Sequence, residues 1–384
     1  MHKITRGVVS VTLLTAATVL LAGCATTDGG VRADPAATSG PTATSTPSAT
    51  AAETATVDFG KAPAGSGVPS CAALLPADLV DALVPGTTTT DLLTTASHVV
   101  GSWSALGVAG GADCWSTNGV SPVDDVEPGT RDDPKYEGVR VSVLPHAASA
   151  FDTATSVATS PAESTTAVDC AASDSARVFC HGGVLAGSAW VSVQVTRLQT
   201  TADATPQAML PVYRDLLDQV RAAVAGSPAG AASGADSADW AFTPCSPDRV
   251  NAVTSVTLRD AVYATDTPPA IDEFVNQRIG SATCSFVEGE RYNVSDALYS
   301  ATPDAAWVVE QRLAAGLIDR AHRIDLPGLG DRDGAWRTCD ETACSVDIVH
   351  DGTWLQYFLT TRVAPNTSSA VERWAEASFS AVDD

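Results

Sequence analysis

Nine cysteines punctuate this 384-residue chain, and the spacing of eight of them constrains the fold more than any other feature. Cys71, Cys114, Cys170 and Cys180 are separated by 43, 56 and 10 residues; Cys245, Cys284, Cys339 and Cys344 are separated by 39, 55 and 5. The two series run nearly in parallel. The match extends beyond cysteine, because Trp190 follows Cys180 by ten residues and Trp354 follows Cys344 by ten. Each tryptophan sits in an apolar, strand-like run that closes on Arg197 or Arg362. Self-similarity over this length marks an internal repeat, so the sequence predicts two tandem copies of one domain, diverged in sequence.

An even set of eight thiols with no metal-type spacing reads as a disulfide framework, although eight cysteines allow about 105 connectivities in principle. The repeat prunes them. Bridges are expected within each copy, first with second and third with fourth: Cys71–Cys114, Cys170–Cys180, Cys245–Cys284 and Cys339–Cys344. A thiolate zinc site wants close C-x2-C pairs, and none occurs.

The same comparison gives the coarse structure of one unit. After the first cysteine comes a short helix, Pro76 to Val84 in the first copy, and in the second a turn where Ser246 can cap and Pro247-Asp248 opens a helix. The second cysteine lies in a short strand, Ala112–Trp115 or Ala282–Phe286. Alternating runs follow, Val139–Leu144 and Tyr292–Leu298, with the period of a sheet that is wet on one face. A helix, clearest over Ala305–Leu313, precedes the third cysteine. Ala189–Val195 and Thr353–Leu359 read as the last strands, and a closing helix begins at Thr205-Pro206 with Leu210, Tyr213, Leu217, Val220 and Val224 on one stripe. The expected fold class is α+β: two repeated domains, each an antiparallel sheet layered with helices and stapled by two disulfides.

Ahead of the first unit, Lys3 and Arg6 precede an apolar run from Val8 to Leu21, the layout of an export signal. The run is shorter than the roughly 20 residues that span a bilayer. It ends in Leu21-Ala22-Gly23-Cys24, which resembles the lipobox of bacterial lipoproteins. The resemblance implies removal of residues 1–23 and a diacylglyceryl group on Cys24, whose two chains hold a protein stably where one does not. The expected location is the outer, extracytoplasmic face of the cell membrane. Residues 24–67 are dominated by Ala, Thr, Ser, Pro and Gly and read as a disordered tether, spanning on the order of 35 to 40 Å as a coil. A similar stretch, 226–239, reads as a linker between a first domain, 68–225, and a second, 240–384.

Taken together, the lipobox, the Thr/Pro-rich tether, the cysteine before the first helix, the Cys-aromatic strand and Leu326-Pro-Gly-Leu-Gly-Asp331 resemble uncharacterised actinobacterial cell-envelope lipoproteins with a small secreted domain. That resemblance implies a location and no chemistry.

Net charge is −23, and removing residues 1–23 takes it to −25, which excludes nucleic acid as a natural partner and leaves the lipid alone to hold the chain at the bilayer. No G-x-S-x-G, H-E-x-x-H, P-loop or dinucleotide fingerprint occurs. His98, His146, His181, His322 and His350 do not recur between the copies and read as surface or structural residues. Asp331-Arg-Asp333-Gly334 has the opening of a calcium loop without its further ligands, and the acidic stretch Asp124 to Asp133 reads as a solvated loop. Trp190 and Trp354 read as core. No catalytic residue, metal ligand or cofactor is assigned. The expected function is a non-enzymatic binding or interaction module whose partner is an envelope protein, a lipid or a wall component, bound on a sheet or between the two units. The alternatives are a solute-binding component of a transporter and a cell-wall hydrolase.

Overall fold

The computed structural model describes residues 56–63, 67–122, 135–158, 164–173, 176–227, 245–261, 270–289 and 295–379. The export signal, Cys24, the acidic stretch at 124–133 and nearly all of the linker 226–239 lie outside the described residues. The protein is α+β with two antiparallel sheets and four disulfides.

The first sheet holds β1 (Thr88–Thr90), β2 (Ala112–Thr117), β3 (Gly138–Leu144), β4 (Asp169–Ser173), β5 (Arg177–Ala186) and β6 (Ala189–Leu198), in the order β1-β2-β3-β6-β5-β4. The second holds β7 (Leu258–Asp260), β8 (Ala282–Glu288), β9 (Ala297–Thr302), β10 (Arg323–Ile324), β11 (Gly334–Cys339), β12 (Ala343–His350) and β13 (Thr353–Thr360). Its order is β7-β8-β9-β13-β12-β11-β10. Apart from β10 the two sheets take the same path. Cys71–Cys114 and Cys245–Cys284 tie the opening segment of each half to its second strand, whereas Cys170–Cys180 and Cys339–Cys344 link directly opposed residues of a hairpin.

One face of each sheet is covered by its own closing helix. Thr205 accepts the Ala208 N–H at 3.2 Å and starts the helix Pro206–Ala225. That helix buries Tyr213, Leu216 and Val220 against Val141, Val191, Val193 and Val195, and the Tyr213 hydroxyl donates to Val193 O at 2.8 Å. In the second half the helix Thr367–Phe379 lays Val371, Trp374 and Phe379 on Val346, Ile348, Tyr357 and Leu359. Each fully buried apolar side chain of this size contributes about 1.5 to 3 kcal/mol before the cost of ordering it.

The other face was expected to be wet, and here the structure differs. Every residue of β3 is buried, including Arg140 and Ser142 on the polar side of the alternation. That face is covered by the opposite half. The described residues all belong to one compact unit, and two apolar clusters draw side chains from both halves. In one, Leu106, Leu144 and Trp190 meet Ile271, Phe274 and Val275 of the helix Ile271–Ile279. In the other, Leu92, Val99 and Trp115 meet Val308, Val309, Leu313 and Trp354. The exchange is reciprocal: the helix Ile271–Ile279 packs on the first half, and the segment Leu92 to Ser104 packs on the second sheet and on the helix Ala306–Ala314. At the closest approach, a Cβ on Gly101 would overlap Ser300 Oγ and lie 3.1 Å from Thr302 Oγ1. Only glycine lets this backbone reach the sheet, where its N–H donates to Gln356 Oε1 at 3.2 Å.

Two further boundaries moved. The run Tyr292–Leu298 was expected to be a strand; residues 290–294 lie outside the described residues, and the strand begins at Ala297. Buried Asp296 just before it pairs with Arg362, so the chain turns into the sheet there. Val57 to Phe59, within the stretch assigned to the tether, pack on β11. Phe59 stacks on Trp336 at 5.9 Å, Asp58 N–H donates to Arg332 O at 2.9 Å, and the two side chains form an ion pair. Two apolar side chains two residues apart give this segment a surface to bury.

Candidate interaction sites

Where a cleft between two units was expected, three arginines reach from one half to the other. Arg140 is held by four charge-assisted bonds: to Asp113 at 2.8 and 3.0 Å, and to Asp272 of the second half at 2.7 and 2.8 Å. Its guanidinium also lies over the Trp115 ring, 4.8 Å from the centroid. Burial opposes the charge, and the two carboxylates outweigh it, raising the Arg140 pKa well above its ordinary value. Arg312 reaches back across the interface to the carbonyls of Leu93, Ala96 and Ser97 at 2.8 to 3.2 Å. Arg278 does the same to Pro145 O and His146 O at 2.7 and 2.9 Å. These three guanidinium groups staple the halves together.

Asp347, on β12, is 1% exposed. Its carboxylate accepts the Trp354 indole N–H at 2.9 Å and is approached by Gln356 Nε2 at 3.4 Å and Ser345 Oγ at 3.3 Å. Burial pushes the Asp347 carboxyl up from its ordinary value, with the Arg312 charge opposing the shift. Burial likewise lowers Arg312, with Asp347 opposing. A perturbed carboxyl can mark catalysis. This one is enclosed by hydrogen-bond partners from its own sheet, of which Gln356 in turn accepts the Gly101 N–H of the first half.

The histidines are distributed rather than gathered. His98 contacts Asp340 at 2.8 Å, His322 lies 3.3 Å from Asp319, and His181 stacks on exposed Phe179. His350 contacts buried Asp333 through Nδ1 at 2.8 Å and lies 3.7 Å from exposed Asp351 through Nε2. Asp333, His350 and Asp351 bring one ligand atom each within 4.8 Å of one another, a donor set that suits a divalent cation. However, Asp333 Oδ2 already accepts the Gly330 N–H at 2.8 Å, and Asp351 is open to water. The loop beginning at Asp331 is thus a turn pinned by Asp333, and His350 is a neighbour that no local spacing in the sequence could reveal.

A cavity of about 200 Å³ opens at the end of the first sheet, lined by Val68, Pro69, Val143, Pro145, His146 and Ser188 among others. It is smaller than the roughly 300 Å³ at which drug-sized ligand sites begin. The chain matches no known protein-family model, no curated protein and no solved structure. Its surfaces therefore have to be read on their own chemistry.

Each cysteine outside the N-terminal stretch sits in one of the four bridges, and Trp190 and Trp354 are fully buried in the two shared clusters. No local pattern in the sequence marks the charged residues that cross the interface, Arg140, Asp272, Arg278 and Arg312. Ile271, Phe274, Val275 and Ile279 did carry a signal, since their spacing is that of one helix face.

Proposed function

We propose that this chain is a lipoprotein of the cell envelope, anchored through Cys24 on the extracytoplasmic face, whose folded body is a non-enzymatic interaction module. What carries the reading is the Leu21-Ala-Gly-Cys24 sequence behind a cationic and apolar leader, joined to a body in which all eight remaining cysteines are bridged. Disulfides in this number belong to an oxidising compartment. The body's polar groups serve its own interface, which supports a rigid surface over a ligand-closing cleft as the working part. The partner class is an envelope protein, a lipid or a wall component.

We further propose that the two halves descend from one duplicated unit. The common strand order, the matching pairs of disulfides and the tryptophan ten residues beyond each fourth cysteine support this. The interlocked segments would then be a later exchange between copies that first packed as a dimer.

The anchor is tested by fractionating cells that produce the wild type and Cys24→Ala. The wild type is expected in the membrane fraction with a diacylated N-terminal Cys24 peptide by mass spectrometry, and the variant in the soluble fraction. An unmodified Cys24 peptide on a membrane-bound protein would refute the anchor. Crosslinking in intact envelopes with both forms tests the interaction module: one protein recovered with both supports it, and a co-purified lipid or wall fragment redirects it to a small ligand.

A further inference from the structure

The four disulfides are not equivalent in their surroundings. Cys114 and Cys180 are fully buried and Cys170 and Cys344 are nearly so, while Cys71, Cys245 and Cys284 are half-buried. Cys339 is the one exposed cysteine among the described residues. Its bridge to Cys344 also closes the shortest loop, with a sequence separation of 5 against 10, 39 and 43. In the chain-entropy account the bridge that closes the shortest loop adds least to the stability of the fold, so its opening costs the fold least. Access of an attacking thiolate to the sulfur makes a disulfide exchangeable.

The hairpin end that this bridge closes is also a contact between the halves. Asp340 accepts the Thr342 and Ala343 N–H groups at 2.7 and 2.9 Å through Oδ1, and its Oδ2 meets His98 Nε2 of the first half at 2.8 Å. The His98 ring is held edge-on against Phe358 of β13, 5.3 Å away. Directly opposed Cys339 and Cys344 fix the start of this turn, and with it the carboxylate that His98 meets.

We propose that Cys339–Cys344 is a thiol-exchange site for a dithiol reductant, and that opening it loosens the Asp340–His98 contact between the halves. A thiolate of the reductant attacks Cys339 Sγ, forms a mixed disulfide there and expels Cys344 as a thiolate, which takes up a proton. The second thiolate of the reductant then attacks its own sulfur in the mixed disulfide and expels the Cys339 thiolate, which is protonated in turn. Two electrons enter the protein, and the reductant leaves as a disulfide.

The test is graded dithiothreitol treatment of the native, fully oxidised protein, followed by rapid alkylation and peptide mapping. Cys339 and Cys344 are expected to be labelled together, at least tenfold faster than any of the other six bridged cysteines. Earlier labelling of another pair, or labelling of all eight only as the protein unfolds, overturns the assignment. The His98 imidazole resonances report the second half of the proposal. They are expected to shift on reduction towards their position in the Cys339→Ser/Cys344→Ser double variant. If the variant fails to fold, the shift on selective reduction of the native protein is still read; His98 signals that stay unchanged while Cys339 and Cys344 are reduced overturn the clasp.

Discussion

Trp190 and Trp354 occupy the same station in the two halves, and their surroundings differ in one atom's fate. Both lie ten residues after the fourth cysteine, both are fully buried, and both belong to a cluster shared across the interface. Three residues beyond that cysteine the second half has Asp347, which accepts the Trp354 indole N–H. The first half has Gly183 there, and a Cβ on it would lie 2.7 Å from Trp190 Nε1. Trp190 Nε1 has no hydrogen-bond partner among the described residues, and its ring is flanked edge-to-face by Phe151 and Phe274 at 5.7 Å. An unpaired buried N–H costs about 1 to 3 kcal/mol, and aromatic pairs return about 0.5 to 1.5 kcal/mol each. The sheet sets where the aromatic goes; the polar support around it is free to differ.

The strongest way to break this comparison is to remove both rings. Trp190→Ala and Trp354→Ala are each expected to cost about 3 to 5 kcal/mol, and each should lower the unfolding midpoint of both halves, since the clusters are shared. Urea denaturation followed by near-UV dichroism checks the size, and an effect confined to one half would break the account. Arg140→Ala, which leaves Asp113 and Asp272 without their cation, is expected to cost about 3 to 5 kcal/mol at the lower end, because Asp272 is partly exposed and can rehydrate. Gly101→Ala should cost about 1 to 3 kcal/mol by overpacking against Ser300.

A finer distinction lies in Trp→Phe. Trp354→Phe strips a donor from buried Asp347, whereas Trp190→Phe removes an N–H that had no partner. Calorimetry should therefore find Trp354→Phe the more damaging by about 1 to 2 kcal/mol; equal losses would contradict the difference between the two stations. Asp347 also gives a pH signature. Its folded-state pKa is raised above the ordinary value of 3.8, so the native protein holds this proton more tightly than the unfolded chain. The stability it contributes is full below that ordinary value and is lost as pH rises through the raised one. The wild type should thus lose stability relative to Asp347→Asn as pH rises through this window, and parallel curves would contradict the shift. The smallest effect is expected at the exposed Asp58–Arg332 pair, where Asp58→Ala should cost under about 1 kcal/mol.

The α+β class, the antiparallel sheets and the disulfide bonding were legible because cysteine spacing and period-2 alternation are local signals. The interlocking of the halves was not. Arg140 and Ser142 alternate with valines as solvent-facing residues do, and what dries that face is Asp272 and its helix, 132 residues further along the chain. Asp347 looks like any polar residue in a strand until Trp354 and Gln356 of β13 close on it. Asp333 and His350 are brought together only by the pairing of β11 with β12. The Arg140–Asp272 pairing depends on which surface each half presents to the other, and the Asp347 and His350 contacts depend on strand register within the second sheet.

The central claim is that the two halves form one cooperative body through reciprocal contacts. Hydrogen exchange measured across a urea titration, with peptides from β3 and β6 compared with peptides from β9 and β13, tests it most directly. Coincident loss of protection in both sheets, at one midpoint, is the predicted result. Two separated midpoints, with one sheet still protected after the other has opened, would contradict it.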